Sequence, residues 1–267
     1  MEKTMSSLDQ YTIEWLAVKN LSVIWVQSQR PYDAKWAKKI ADEFDPDKFE
    51  ACIVTLPNGI GEYHIVEGQH RKSAVEMLWG GNEKVPCRVL PEADPSRAAE
   101  IWLGINDGRK RIRPVTHFKV AVVAKRDPEL AINRLVNRLG YIVAEYKSEK
   151  TVTAVSALKS IWDRQGELTL SKTLIAVQQL WPGDPAGPDG SILRGLALFL
   201  HEFGLHTDPR RLKQAIGKKY TPGQFVAAAN ARKELTKDRL DEVMAEMLLR
   251  DYNKGLPEEK KLRRKKD

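Results

Sequence analysis

The sequence predicts an α+β fold, in which a small domain with a mixed sheet precedes an all-helical domain. Residues 12 to 90 alternate between strand and helix patterns, whereas from about Pro114 onward apolar residues recur mainly at helical spacing. The length of 267 residues is also more than one typical domain needs. We therefore expect domains over 10–113 and 114–253, followed by a basic, disordered tail over 254–267.

The first half carries the strand patterns. The stretches YTIEWLAV, LSVIWV and VPCRVL are typical of strands, and ACIVTL with YHIVEG predicts a hairpin. A helix is predicted in DAKWAKKIADEF, with Asp33 as its N-cap. A second helix is predicted from His70 to about Trp79, with its apolar positions Ala74, Val75 and Leu78 facing the core.

The second half repeats one helix-start pattern, a capping residue followed by proline at the first helical position. It occurs at Asp127-Pro128, Asp208-Pro209 and Thr221-Pro222. Within this half, YIVAEYKSEKTV predicts a short hairpin between helices.

The composition is that of a soluble globular protein, with 42% hydrophobic and 30% charged residues. No apolar run approaches the roughly 20 residues that cross a bilayer, and the first residues lack the pattern of a signal peptide. We expect a cytoplasmic protein without a membrane partner. Cys52 and Cys87 lie in apolar stretches without a second ligand at metal-binding spacing, so we expect small buried side chains and no metal site.

The net charge of +8 is concentrated in two clusters. One is mid-chain and the other lies in the tail, and together they comprise Arg109, Lys110, Arg111, Arg113, Lys260, Lys261, Arg263, Arg264, Lys265 and Lys266. Such clusters favour polyphosphate partners, so DNA is the expected partner. The alternative for the tail is a solvated end that only aids solubility.

The stretch YHIVEGQHRKSAVEML places a glycine, a histidine and an arginine at the start of a predicted helix. Helix N-termini bind phosphate through unpaired N–H groups. Gly68 permits close approach, and Arg71 and His70 can add hydrogen bonds. Alternatively, Gly68 serves only the turn and Arg71 points to water. His64, in the preceding strand, is interpreted as a half-buried packing residue.

The order of elements around this stretch resembles the N-terminal domain of the ParB/sulfiredoxin superfamily. Gly68, Gln69, His70, Arg71 and Ala74 match its G-x-x-R-x-x-A helix start, in a form similar to the D-G-Q-H-R of phage and plasmid relatives. The resemblance implies a nucleotide such as CTP or ATP, held by its phosphates at Gly68, Gln69, His70 and Arg71.

A second stretch, INDGRKRIRP, is similar to the E-N-x-x-R-x-x-L-x-P element of ParB proteins. The resemblance assigns Asn106 and Arg109 to the nucleotide site, which in the family also holds magnesium. Ile105 stands where the family has glutamate. We therefore expect little or no nucleotide hydrolysis unless Asp107 substitutes for that carboxylate.

The resemblance leaves open whether the chain is an enzyme. Sulfiredoxin chemistry is close to excluded because Gln69 stands where a cysteine would be needed. A ParB-like metal-dependent nuclease or phosphotransferase would use Glu67 or Asp107 as its catalytic carboxylate. A non-catalytic assembly protein is the third alternative. A homodimer is also compatible with the sequence.

Overall fold

The structure, a computed structural model, describes residues 12–57, 61–106 and 113–264. It is a mixed α/β structure that divides into two compact units, Met1–Arg126 and Asp127–Asp267. This division falls after the first helix that follows residue 113, whereas the sequence places the boundary at 113/114.

The first unit contains a five-stranded mixed sheet and four helices. The strands are β1 Thr12–Ala17, β2 Leu21–Ser22, β3 Cys52–Thr55, β4 Tyr63–Glu67 and β5 Lys84–Leu90, and the helices are α1 Ala34–Asp42, α2 Gln69–Trp79, α3 Pro95–Asn106 and α4 Pro114–Val123. The strand order is β1-β5-β3-β4-β2. β3 pairs antiparallel with β4 and parallel with β5, so the predicted mixed sheet is confirmed.

Local signals define the ends of α1 and α2. The Asp33 carboxylate accepts hydrogen bonds from the N–H groups of Lys35 and Trp36, which confirms the predicted N-cap. In α2, Ala74 and Val75 are buried as expected, but Leu78 is 40% exposed. The expectation for Leu78 was wrong because the last turn of α2 extends beyond the core.

Two apolar clusters cover the two faces of the sheet. On one face, Cys52 and Val54 of the sheet pack with Val75 of α2. On the other, Val66 packs with Trp102 of α3 and Val120 of α4. Helix α4 thus completes the core of the first unit, which explains why the compact unit extends past residue 113. Both cysteines are buried and unpaired, as expected.

The second unit is predominantly helical. Its elements are α5 Glu129–Arg138, β6 Ile142–Val143, β7 Thr151–Val152, α6 Val155–Leu180, α7 Gly190–Phe203, α8 Pro209–Leu212, α9 Pro222–Thr236 and α10 Leu240–Asn253. Helix α6 is interrupted at Gly166. β6 and β7 form a parallel pair, so the second unit is not all-helical, and the hairpin expected in this segment was wrong.

Two of the three proline-containing helix starts have the predicted capping residue. Asp208 caps α8 through the N–H of Arg210, and Thr221 forms a capping box with Gln224 at the start of α9. At the start of α5, Pro128 occupies the N-cap itself rather than the first helical position.

The beginning of the expected tail contacts the second unit. The Asn253 amide exchanges two hydrogen bonds of 2.8 Å with the backbone of Leu262. Leu262 is buried, and a 3₁₀ turn spans Glu258–Lys260. Residues 265–267 lie outside the described part of the chain. Among the described residues, we find no helix long and apolar enough to cross a membrane.

Candidate functional site

The turn between β4 and α2 consists of Gly68 alone. Gly68 has φ of 110°, a backbone conformation that side chains with a Cβ rarely adopt. A Cβ at this position would also lie 2.8 Å from the Cys52 Sγ. No side chain caps the helix and no acidic residue lies in its first turn. The first N–H groups of α2 and its positive dipole end are therefore suited to an anion.

A buried histidine holds the segment that faces this helix start. His64 Nδ1 accepts hydrogen bonds from the N–H groups of Ile24, at 3.1 Å, and Trp25, at 3.4 Å. Because Nδ1 accepts, the proton of the neutral ring is on Nε2, which can donate to Ser28 Oγ at 3.3 Å. Burial lowers the pKa of His64 to about 4, so the ring is neutral near pH 7.

The same segment is fixed to β4 and α2 by two glutamines. Gln29 Nε2 donates to the Ile65 carbonyl at 2.7 Å, and Gln69 Nε2 donates to the Arg30 carbonyl at 2.9 Å. Gln69 is buried, so its amide positions the backbone of Arg30. Sequence analysis assigned Gln69 to phosphate binding, whereas the structure engages its amide with the protein.

Arg30 brings a cation to the helix start. Its guanidinium makes one hydrogen bond to a described residue, a long contact of 3.5 Å from Nη2 to Asn106 Oδ1, and no ion pair with a described carboxylate. The Asn106 amide is itself fixed, because Nδ2 donates to the Trp102 carbonyl at 2.8 Å. Asn106 therefore contacts Arg30.

Arg71 is more strongly engaged than Arg30. Its Nη2 donates to Glu67 in an ion pair whose side chains are 18% and 15% exposed. Its Nη1 donates to the carbonyl of Glu50, which ties α2 to the start of β3. An arginine has five N–H donors, so Arg71 can keep these contacts and still face a ligand. It does not point simply to water.

His70 is buried at the first turn of α2. Its Nε2 accepts the N–H of Asp33 at 3.0 Å, and its ring stacks on Tyr32 with centroids 5.5 Å apart. The neutral ring therefore carries its proton on Nδ1. Burial, followed by the positive charge of Arg30, lowers the pKa of His70. A neutral His70 can donate one hydrogen bond without adding charge.

A cavity lies at the start of α2, and we call it the α2 cavity. It has a volume of about 220 Å³, and its lining includes Arg30, Trp36, Glu67, Gln69, His70 and Arg71. A second hollow of about 160 Å³, the aromatic groove, shares Trp36, Ile40 and Arg71 with it and adds Phe44 and Phe49. The α2 cavity is large enough for phosphate groups, and the aromatic groove extends it along α1.

Glu67 is the candidate carboxylate that lies in the described part of the chain. Glu67 lines the α2 cavity, but Arg71 engages its carboxylate. In the described ranges, no three His, Cys, Asp or Glu side chains gather as a metal site. Asp107, the other candidate, lies outside the described residues, and so does Arg109.

The basic clusters are described only in part. Lys110, Arg111, Lys265 and Lys266 also lie outside the described residues, while Arg113 is exposed at the N-cap of α4. In the tail, Lys261 and Arg263 both pair with Glu258, and Arg264 lies 3.5 Å from Glu202. Lys260 is exposed. Exposed ion pairs contribute little, so these cations can exchange partners easily.

Sequence reasoning missed Arg30, Gln29 and Trp36. All three lie in the segment QSQRPYDAKW, in which sequence analysis gave a role only to the N-cap Asp33. The available signal was an arginine followed by proline just before a capped helix. That signal does not show which residues lie opposite, because Gln29 and Arg30 are placed by partners in β4 and α2.

Comparison with known proteins finds a likeness among solved structures. Neither the family models nor the curated proteins match this chain. Among solved structures, the chain is similar to the C-terminally truncated chromosome-partitioning protein ParB from Caulobacter crescentus complexed with CTP-γ-S. The likeness covers 90% of this chain and 98% of that chain, with 13% identity and a TM-score of 0.32. A TM-score this low does not establish a shared fold.

Proposed function

We propose that the first unit binds the phosphate groups of a nucleotide in the α2 cavity, and that the chain is a ParB-like nucleotide-binding and DNA-binding protein with little or no hydrolysis. The observation that carries this proposal is the position of Arg30. Its guanidinium has one weak hydrogen bond and no ion pair among the described residues, yet it lines a cavity at an uncapped helix N-terminus.

Several features of the cavity favour a phosphate over a carboxylate or a neutral ligand. The first N–H groups of α2, the Nδ1–H of His70 and the guanidinium of Arg30 are all donors, and a phosphate offers several acceptor oxygens. Glu67 would repel an anion, but Arg71 balances its charge. The positive charge of Arg30 is thus left to attract a ligand.

The aromatic groove supports a nucleotide as the phosphate-bearing ligand. Trp36, Phe44 and Phe49 line it beside the α2 cavity, together with charged residues such as Lys39 and Lys48. Ligand pockets combine such surfaces with a few convergent polar groups. A nucleotide could then hold its phosphates near Arg30 and its base against these rings. CTP and ATP are the nucleotides to compare first.

Replacing the Arg30 guanidinium tests the proposal. We expect Arg30→Gln to weaken nucleotide binding about 10- to 100-fold, because a charge-assisted hydrogen bond contributes about 1.5–3 kcal/mol. Isothermal titration calorimetry with CTP, ATP and GTP, with and without magnesium, measures this loss. Arg97→Gln is the matched control, because Arg97 is exposed on α3 and does not line the cavity.

Arg71→Gln is expected to affect both ligand binding and stability. We expect it to weaken binding as well, since it leaves the half-buried Glu67 carboxylate uncompensated beside the phosphate. It should also lower the free energy of unfolding, because Arg71 ties α2 to Glu50. If Arg30→Gln binds every nucleotide as tightly as Arg97→Gln does, Arg30 is not a ligand contact and the α2 cavity is not the phosphate site.

Hydrolysis is expected to be weak or absent. Ile105 lies in the last turn of α3, next to Asn106, and offers no oxygen ligand for a metal at the position where the ParB pattern has glutamate. We expect little phosphate release from any nucleotide in a colorimetric assay, and an increase with Ile105→Glu. Rapid magnesium-dependent release that Asp107→Ala abolishes would instead place the chain among enzymes.

The DNA-binding part of the proposal rests on charge. Arg113 and the tail cations Lys260, Lys261, Arg263 and Arg264 are exposed or only loosely paired, and they have no aromatic residues interleaved between them. The nuclease and phosphotransferase alternatives gain no support from the described residues, because Glu67, their candidate base, is paired with Arg71.

A further inference from the structure

The second unit contains a basic cleft that sequence analysis did not identify. It has a volume of about 450 Å³ and lies between the start of α7, the end of α9 and the start of α10. We call it the α9–α10 cleft. The charged residues that line it are Arg194, Lys233, Lys237, Asp238, Arg239 and Asp241.

The positive charge of the cleft is only partly balanced. Arg239 is neutralised by Asp241, to which it donates two hydrogen bonds of 2.7 and 3.2 Å. Lys237 lies 3.8 Å from Glu234, but both side chains are more than three-quarters exposed, so this pair is weak. Asp238 is then the one lining carboxylate that faces the remaining cations.

Arg194 and Lys233 are the two cations of the cleft that suggest a ligand. Both are half-buried, and neither has an ion pair with any described carboxylate. Each therefore keeps a positive charge that no described carboxylate balances, and such a charge in a cleft attracts anions. Here two of them, from different helices, line the same cleft.

We propose that the α9–α10 cleft binds phosphate groups. Arg194 of α7, Lys233 of α9 and Lys237 at the end of α9 line it. Lys237 and the next two residues, Asp238 and Arg239, are exposed, so the cleft is open to solvent. A ligand with several closely spaced negative charges matches this arrangement better than a single carboxylate does. Either a free polyphosphate or the backbone of a nucleic acid carries such charges. The inference does not depend on the α2 cavity.

Lysine labelling tests the cleft residue by residue. The full chain is reductively methylated with and without inorganic tripolyphosphate or a short DNA duplex, and peptides are analysed by mass spectrometry. At a ligand concentration about ten times the Kd, we expect labelling of Lys233 to fall about tenfold, because about nine-tenths of the sites are occupied. Lys213 and Lys218, exposed in the same unit, are the internal controls and should keep their labelling.

A double variant identifies the groups that bind the ligand. Arg194→Gln with Lys233→Gln should raise the ligand concentration needed to protect Lys237 about tenfold or more, since two charge-assisted contacts are lost. Arg210→Gln with Lys218→Gln removes the same charges from exposed positions outside the cleft and should leave that concentration unchanged. Because Lys237 reports the cleft alone, nucleotide binding in the α2 cavity does not affect the result.

The two ligands distinguish the sources of the phosphate. Protection by tripolyphosphate as well as DNA supports a site for phosphate groups in general, and protection by DNA alone supports a site for a polymer backbone. If neither ligand protects Lys233 more than Lys213 and Lys218, or if both double variants respond alike, the cleft is not a phosphate site.

Discussion

Gly68→Ala is expected to destabilise the first unit by about 3 kcal/mol or more, because two separate costs add. An alanine at φ of 110° adopts a conformation that costs about 1–2 kcal/mol. Its Cβ would also lie 2.8 Å from Cys52 Sγ and 3.3 Å from Cys52 Cα, in a core where overpacking typically costs 1–3 kcal/mol. Urea unfolding followed by tryptophan fluorescence measures the loss.

A control variant and a double-mutant cycle separate the two costs. Gly80 ends α2 with φ of 84°, and a Cβ there would have no neighbour within 4 Å. Gly80→Ala therefore reports backbone strain without a clash. In a Cys52→Ala background, the contact with Sγ is gone, so Gly68→Ala should cost about 1 kcal/mol less there. An equal cost in both backgrounds would show that close packing under the turn does not matter.

The folded variant should also lose ligand affinity. Gln69, His70 and Arg71 line the α2 cavity, and as the first residues of α2 they have N–H groups without a partner inside the helix. A turn displaced by the alanine Cβ would misplace these donors. We therefore expect weaker nucleotide binding by Gly68→Ala even under conditions in which it is fully folded.

Local features of the fold could be predicted from the sequence. The capping side chains of Asp33, Asp208 and Thr221 lie within three residues of the N–H groups that they bind. The β4–α2 junction likewise depends on an apolar run, a glycine and a helix pattern that are adjacent in sequence. Such signals need no knowledge of the tertiary structure.

Features that depend on tertiary packing could not be predicted. The helical pattern of α4 is the same whichever unit it completes, and only its contact with Trp102 and Val66 assigns it to the first unit. The pairing direction of β6 and β7 depends on the path of the intervening residues. Both are tertiary properties that periodicity does not encode.

In the candidate site, too, local features could be predicted from the sequence and tertiary contacts could not. Its glycine and its helix start were predicted, but the roles of its side chains were not. Arg71 matches a motif, yet its partners Glu67 and Glu50 decide whether its charge is available to a ligand. Arg30 matches no motif that we identified, and it reaches the cavity because Gln69 holds its backbone. Availability of charge is a property of the folded structure.

His64 makes the first unit sensitive to pH. It is fully buried, and its Nδ1 must stay unprotonated to accept the N–H groups of Ile24 and Trp25. Burial lowers its pKa from 6.5 to about 4, so the folded state favours the neutral ring. The stability that this preference provides is complete above about pH 6.5 and is lost as the pH falls toward 4.

The size of the effect follows from the shift in pKa. A shift of this size corresponds to about 3 kcal/mol in total, of which about 2 kcal/mol is lost by about pH 5. The lowered pKa of His70 acts in the same direction. Carboxylates such as Glu100, whose pKa is lowered by Arg126, lose their contribution only below their ordinary range, near 4.5. The interval from about pH 7.5 to pH 5 therefore reports mainly on the histidines.

We expect the free energy of unfolding of the first unit to fall by about 2 kcal/mol between about pH 7.5 and pH 5, and the fall to be much smaller in His64→Asn. The asparagine Oδ1 can replace Nδ1 as the acceptor for Ile24 and Trp25, but it does not titrate. His117→Asn, on the half-buried face of α4, is the matched control and should keep the full dependence. Urea titrations at the two pH values measure all three proteins.

An equal loss of stability in His64→Asn and the unmodified chain would show that His64 does not control it. A reduced loss would show that the ring must be neutral to hold the segment that carries Arg30, so nucleotide binding should weaken over the same pH interval.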